Sequence, residues 1–244
     1  MRKLFTLIFC SFFIFSCSDD SVSDEFEEVN GDVPVRLISQ VTMNSVQDPT
    51  VNRTFQINYV NNRVTSASNG EETGVLVYEN DQLITLTGNG EPFSINDLYQ
   101  SPYEGFQYGD VLQYDSNGNP IRVLLLEETS EGTEEYTAEI GYDNTHNPYY
   151  YTLDAARMID VLDRVDVDFS MAPQPSEIVQ ARMLFPLNNP KEIVFRNSNN
   201  VVVHQVVADY SYDSDDYPVF ATFTSTSFVD NETIIYTWDY NYRD

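Results

Sequence analysis

The residues able to do acid-base, nucleophilic or metal chemistry are few. The only histidines are His146 and His204, and the only cysteines are Cys10 and Cys17. There is no Gly-x-Ser-x-Gly elbow, no His-Glu-x-x-His helix and no Gly-rich phosphate loop ending in Lys-Ser/Thr. A triad or a zinc site needs imidazoles and thiolates that this chain barely has. Carboxylates are abundant, with 39 Asp and Glu against 12 Lys and Arg and a net charge of −27. Glu127, Glu128, Glu134 and Glu135 flank the turn at 129–133. They are the best candidates for a glycosidase-like pair, although solvated hairpin charge explains them as well. Asp213, Asp215 and Asp216 offer oxygen ligands to calcium, but they lack the Gly and terminal Glu of an EF-hand loop, and a turn alone accounts for them. His204 shares a strand face with Val202, Val206, Ala208 and Tyr210, and His146 sits in a turn motif, so both read as structural. No catalytic residue, metal or cofactor is therefore expected. Seventeen Tyr, fifteen Phe and one Trp could stack on sugars, yet most close apolar strand faces, and Trp238 and Tyr240 are expected to pack inward. The acidity also excludes nucleic acid as a default partner, since phosphate is bound by clustered Lys and Arg.

The amino terminus carries a different chemistry. Arg2 and Lys3 precede an apolar run from Leu4 to Phe15, too short to span roughly 30 Å of hydrocarbon and of signal-peptide length. The run ends in Ile14-Phe15-Ser16-Cys17, which resembles a bacterial lipobox, although Phe15 is bulkier than usual at its position. The resemblance implies a signal peptide at 1–16 and acylation of Cys17. Cys10 would leave with the signal, so no free thiol would remain. Ser18, Asp19 and Asp20 resemble the export signal of Bacteroidota surface lipoproteins, which implies an outer-membrane protein facing outward. Residues 17–32 are acidic and without periodicity, and are expected to form a flexible tether.

The elements beyond residue 33 alternate with period two, the pattern of strands with one buried face. Phe55, Ile57 and Tyr59 oppose Thr54, Gln56 and Asn58, and Ile234, Tyr236, Trp238, Tyr240 and Tyr242 form one face of the last strand. The strands are punctuated by a recurring aromatic-Asx turn, at Tyr59–Val64, Tyr78–Leu83, Tyr114–Ile121, Tyr142–Tyr149, Phe195–Val201 and Tyr212–Val219. Asn, Asp and Gly tolerate the positive φ of tight hairpins, and Pro sits where no ladder donor is needed.

These turns resemble the YD-type repeat, and the chain from about 50 to 240 resembles a group of uncharacterised Bacteroidota lipoproteins built from such hairpins. Asn147-Pro148-Tyr149 and Asn188-Asn189-Pro190, on either side of a helical insertion, also look like that group. The fold expected is all-β: a meandering antiparallel sheet of YD-like hairpins at 33–244 with a helical insertion at about 150–190. Leu153, Ala156, Ile159, Leu162 and Val165 predict a helix at 153–165, with Thr152 or Asp154 as N-cap and an Asp160–Arg164 pair. A second helix is expected at 176–184. The functional expectation is a non-enzymatic outer-membrane surface lipoprotein that binds or scaffolds. It is held to the membrane through Cys17, with a surface glycan or protein as partner. The alternatives are a glycan-binding accessory of a nutrient-uptake system, which needs exposed aromatics on a concave face, and a carboxylate-based glycoside hydrolase, which needs paired acids in a cleft.

Overall fold

A computed structural model describes residues 21–88, 90–99, 103–106, 109–129, 132–164, 166–169, 179–180 and 185–243. The chain opens with helix α1 (Val22–Asn30), followed by strands β1 (Ile38–Ser45), β2 (Arg53–Val60), β3 (Arg63–Ser68), β4 (Thr73–Glu79), β5 (Gln82–Thr87) and β6 (Phe93–Ser94). Then come β7 (Tyr103–Phe106), β8 (Gly109–Tyr114), β9 (Pro120–Thr129) and the long β10 (Gly132–His146). Helices α2 (Tyr150–Ala155) and α3 (Met158–Leu162) and strands β11 (Asp166–Phe169) and β12 (Val179–Gln180) form the insertion. Strands β13 (Asn188–Asn197), β14 (Val202–Tyr212), β15 (Pro218–Ser227) and β16 (Glu232–Tyr242) complete the chain.

The fold is the all-β meander that the alternation predicts. Thirteen strands form one sheet in the order β6-β5-β4-β3-β2-β1-β16-β15-β14-β13-β10-β9-β8, and β12-β11-β7 form a small second sheet. The first and last strands, β1 and β16, pair antiparallel at the centre, with Val41 opposite Tyr240 and Met43 opposite Trp238. Two meanders therefore run outward from one seam. The sheet also curls: Leu83 on β5 and Val111 on β8 lie near opposite ends of the strand order, yet both pack against Val161 of α3. The apolar faces of nearly all the strands thus line one concave side, with the helices seated at one end of it.

Turn chemistry accounts for the register. Asn61 and Asn62 (φ 50° and 61°) and Asn80 and Asp81 (φ 48° and 70°) make the two-residue turns of β2–β3 and β4–β5, with the positive φ at both positions that type I′ requires. The turns starting at Asp115, Asn197 and Asp213 share a three-residue design. In each, the Asx oxygen accepts from the backbone N–H groups two and four residues on, and the fourth residue (Gly118, Asn200 or Asp216) takes positive φ. Gly118 has φ +82° and open space where a Cβ would stand, so its need is backbone freedom rather than room. Gly118→Val should cost about 1–3 kcal/mol through left-handed strain at a β-branched residue, read as a lower denaturant midpoint with an unchanged m-value. Gly118→Asn should recover most of that loss, because Asn200 already serves at the equivalent position.

The fourth motif along the chain is not a hairpin. At Tyr142–Tyr149 strand β10 continues through His146, which pairs with Asn188 across an irregular register, and the chain then enters α2. Asp143 Oδ1 accepts from Thr145 N and Oγ1, an Asx turn inside a bulge rather than between strands.

Two helical expectations are corrected. The acidic segment after residue 20 is not a flexible tether throughout, because α1 occupies 22–30. Ser21 caps it through a capping box with Asp24, and Val22 and Phe26 are fully buried. Its composition is polar, but two apolar residues four apart put one stripe on the protein. The single helix expected at 153–165 is two short helices, broken where Arg157 adopts φ 57°. Arg157 reaches Asp81 Oδ2 at 2.6 Å, tying the insertion to the β4–β5 turn, and Arg164 lies over the Tyr99 ring at 4.2 Å rather than pairing with Asp160. Thr152 caps nothing: it is buried, and its Oγ1 accepts from Ile38 N at 2.9 Å. Most of 176–184 lies outside the described residues, and Val179–Gln180 form a strand, not a helix.

Candidate functional site

The concave face divides into a covered end and an open end. At the covered end Phe26 of α1 stacks on Tyr150 of α2 with ring centroids 3.7 Å apart, and Ile159 and Leu187 close the cluster. Strand-end tyrosines seal this end by donating to carbonyls of neighbouring strands. Tyr142 donates to Pro120 O at 2.9 Å, Tyr210 to Pro190 O at 3.0 Å and Tyr242 to Pro218 O at 2.8 Å. Pro120 and Pro218 open their strands and Pro190 stands third in β13, positions where the missing ladder N–H is tolerated, and each tyrosine satisfies a proline carbonyl. Burial pushes the phenol pKa values of Tyr142, Tyr210 and Tyr242 well up, so these hydroxyls remain donors.

His146 belongs to this covered end. It is 4% exposed, lies edge-on to Tyr217 at 4.2 Å and to Phe26 at 6.5 Å, and its Nε2 has no hydrogen-bond partner. Burial holds its pKa below the ordinary value, against the smaller opposing pull of Asp216, Asp213 and Asp143. The unfolded chain therefore takes up the proton at higher pH than the folded one. The stability that neutral His146 contributes is complete above about pH 6.5 and is lost as pH falls towards the folded value. Thermal unfolding at pH 7.5 and 5.5 should show a larger drop for wild type than for His146→Phe. An equal drop would mean that His146 titrates normally.

Among the described residues, the face is open where the helices stop. Trp238, Tyr149, Val41, Phe55, Ile57, Ala67 and Gly74 line a trough of about 500 Å³, with Gln56, Ser68, Asn69 and Glu72 beside it. The trough crosses β16, β1, β2, β3 and β4, five strands adjacent in the sheet. Phe55 is 40% exposed. Trp238 is half-buried, tilted against Phe223 at 4.9 Å and Tyr240 at 6.2 Å. The inward direction expected of Trp238 and Tyr240 is the observed one, but only Tyr240 is buried. A second hollow of about 810 Å³ lies further along the face, beside Phe195, His204 and Val206. His204 Nε2 is 2.8 Å from Ser225 Oγ, and the ring is edge-on to Phe195 at 5.7 Å.

The other predicted positions are accounted for as follows. Cys17, Ser18, Asp19 and Asp20 lie outside the described residues. Asp213 and Asp215 do not present a cation site. Arg36 reaches Asp213 Oδ2 at 2.9 Å and Asp215 Oδ2 at 2.5 Å, so a guanidinium already neutralises the pair, while Asp213 Oδ1 and the positive φ of Asp216 serve the turn. Among the described residues no three His, Cys, Asp or Glu converge as metal ligands. Glu134 and Glu135 are exposed, and the Glu134 carboxylate accepts from Tyr136 Oη at 2.6 Å. The trough itself was not legible in the strand pattern. Its only sequence trace is the pair of small residues Ala67 and Gly74, which face each other across β3 and β4.

No protein-family model and no curated protein matches the chain. Among solved structures it is similar to a porin-like protein from Bacteroides uniformis, at TM-score 0.42 and 10% identity over 86% of this chain and 99% of the other. A porin-like protein from Bacteroides vulgatus gives TM-score 0.32 and 15% identity over 87% and 88% of the two chains. A LolA superfamily protein from Nitrosomonas europaea gives 0.26 and 8% over 91% and 92%. At these scores no property of those proteins is transferred.

Proposed function

We propose that the chain is a non-enzymatic binding lipoprotein of the outer membrane that takes its ligand on the open end of the concave sheet face. The observation that carries this reading is the trough at Trp238, Tyr149 and Phe55: an aromatic, half-exposed surface on the concave side of the sheet, beside an end whose aromatics are buried. Acyl chains on Cys17 supply the anchor, and Ser18, Asp19 and Asp20 direct the protein to the cell surface. Since α1 is capped at Ser21, the body hangs only four residues, about 14 Å of extended chain, from the lipid. A glycan is the second reading, favoured by Trp238 and Tyr149 lying on one concave surface.

Binding at the face is tested with the mature chain carrying Cys17→Ala, free of detergent, titrated with the uncharged apolar dye N-phenyl-1-naphthylamine. The sole tryptophan, Trp238, stands in the trough wall and reports directly by energy transfer. Saturable transfer to the native protein is expected, and no transfer would overturn the reading. The anchor is tested in cells: Cys17→Ala should release the protein from membranes. Protease should shave the wild type from intact cells more readily than Asp19→Ala/Asp20→Ala, and a protected wild type would refute surface exposure.

A further inference from the structure

His146 lies on the seam between the sheet and α1. Its ring, 4% exposed, stands edge-on to Phe26 of α1 at 6.5 Å and to Tyr217 of the β14–β15 turn at 4.2 Å, and its Nε2 has no hydrogen-bond partner. Protonated, that nitrogen becomes a buried cation in need of an acceptor or of water. Three carboxylates attract it, and none is placed to hold it. Asp143 is taken by Thr145 and by the Tyr212 hydroxyl. Asp213 is taken by the N–H groups of its own turn and by Arg36. Asp216 is exposed, and Asp215 is bound by the same Arg36. Strand β13 brings the neutral Asn188 and Asn189 alongside. The charges of α1 are Asp24, Glu25, Glu27 and Glu28, of which Asp24, Glu27 and Glu28 are exposed and screened by solvent, and α2 carries Asp154. Burial therefore outweighs the pull of the acids.

Water reaches an imidazolium at this position when one of its aromatic covers moves, and the two covers are held very differently. Tyr217 is built into the sheet. It is 0% exposed, its N–H donates to Asp213 Oδ1, its hydroxyl donates to Pro34 O at 2.7 Å, and the next residue, Pro218, opens β15. Helix α1 stands outside the sheet. It docks through the buried Val22 and Phe26 and through bonds from Val22 N to Asp163 and between Asn30 and the Leu187–Asn188 segment. Nine residues of helix do not persist in water without such docking. The helix is the cover that yields at least cost.

We infer that protonation of His146 releases α1 from the body, so that the helix is an acid-sensitive latch on the segment joining the sheet to its lipid. With α1 docked, four residues separate the body from the lipid. With it released, the next ties are Tyr151 Oη to Val33 O and Tyr217 Oη to Pro34 O, which leaves residues 17–32, about 55 Å of extended chain. The longer tether rests on the anchor proposed at Cys17, whereas the release of α1 does not. Docking is complete above about pH 6.5, and between that value and the docked one each pH unit multiplies the undocking constant by about ten. Hydrogen exchange of the mature Cys17→Ala protein, corrected for intrinsic rates, reads this at pH 7.5 and 5.5. Protection of amides 22–30 should fall about threefold to tenfold on acidification, beyond any change in β14–β16. In His146→Phe it should hold, and His146→Leu serves if that variant fails to fold. The lower limit is pH 5.5 because Asp24 and Asp163 also hold α1, and carboxyl groups ordinarily titrate near pH 4. Unchanged protection at 22–30, a fall shared equally by β14–β16, or the same fall without the histidine each overturns the latch. On a supported phosphatidylcholine bilayer, neutron reflectometry should place the lipidated wild type further from the headgroups at pH 5.5 than at 7.5. An unchanged distance despite release of α1 refutes the longer tether and leaves the latch standing.

Discussion

Phe26→Ala should release α1 from the body and lower the stability of the whole chain by about 3–5 kcal/mol, the usual cost of truncating a fully buried aromatic. Phe26 is 0% exposed, stacked at 3.7 Å on Tyr150 and edge-on to Tyr151 at 5.8 Å and His146 at 6.5 Å. Nine residues of helix cannot persist in water without such packing. The variant helix therefore melts rather than leaving a cavity, and the cost is limited to what docking contributes. Undocking also exposes Tyr150, Ile159 and Leu187, and it breaks the bonds from Val22 N to Asp163 and from Asn30 Nδ2 to Leu187 O. Hydrogen exchange resolves the two outcomes. Amides of 22–30 should lose nearly all protection in the variant, while β14–β16 should remain protected, with exchange faster only by the loss in global stability. Unprotected amides at 22–30 in the wild type would restore the segment to a free tether.

That segment shows what the sequence could and could not carry. The meander was legible because each strand's alternation and each Asx turn is local, and both meanders obey it through β16. The docking of α1 was not, since Glu25, Glu27 and Glu28 dominate its composition, and only Val22 and Phe26, with the Ser21–Asp24 capping pair, mark the buried stripe. The turn at Asp143 misled for a related reason. Its residues form the Asx geometry expected of them, but whether an Asx turn reverses a strand or bulges it depends on the partner strand, here β13 nearly fifty residues later. The break at Arg157 is likewise tertiary. The apolar spacing favours one helix, and the salt bridge to Asp81 with the contacts of Val161 against Leu83 hold it in two.

The same division applies to the site. Strand periodicity places Trp238, Phe55 and Ile57 on one face, but only the curl of the sheet brings β5 and β8 round α3, and only the extent of the helices decides which part of that face stays open. Of the acidic clusters that looked able to hold calcium or cleave a glycoside, Asp213, Asp215 and Glu134 are taken up locally, and the side chains of Glu127 and Glu128 lie outside the described ones. Arg36 bridges Asp213 and Asp215, and Glu134 accepts from Tyr136. Excess negative charge is dispersed over turns and outer faces, while the concave face is left nearly free of ions.

Asn119→Ala should cost about 2–4 kcal/mol although it removes no apolar contact of note, because it orphans buried partners worth about 1–3 kcal/mol each. Asn119 is fully buried. Its Oδ1 accepts from Leu187 N at 2.6 Å, and its Nδ2 donates to Asn188 Oδ1 at 2.9 Å and to Asp115 Oδ2 at 3.2 Å. Asn188 in turn donates to Asn30 Oδ1 and Thr145 O, both at 3.2 Å, and Asn189 donates to His146 O at 3.0 Å. One amide thus joins the β8–β9 turn, the segment entering β13, the end of α1 and the bulge of β10, which explains why asparagines rather than apolar residues stand at 188 and 189. Asn119→Asp separates this network from simple loss of volume. It keeps the size and the acceptor for Leu187, but it removes both donors and sets a second carboxylate against Asp115 in a buried site. At pH 7 it should destabilise more than Asn119→Ala. Protonation favours the folded state of that variant, since burial and Asp115 raise the new carboxyl's folded pKa above its unfolded value. Part of the loss should therefore return as pH falls through the folded pKa towards the unfolded value near 4. Chemical denaturation of the three proteins at pH 7 and pH 5 decides it. If Asn119→Asp matches wild type at pH 7, the amide's donors carry no weight and the network is not what ties these four segments together.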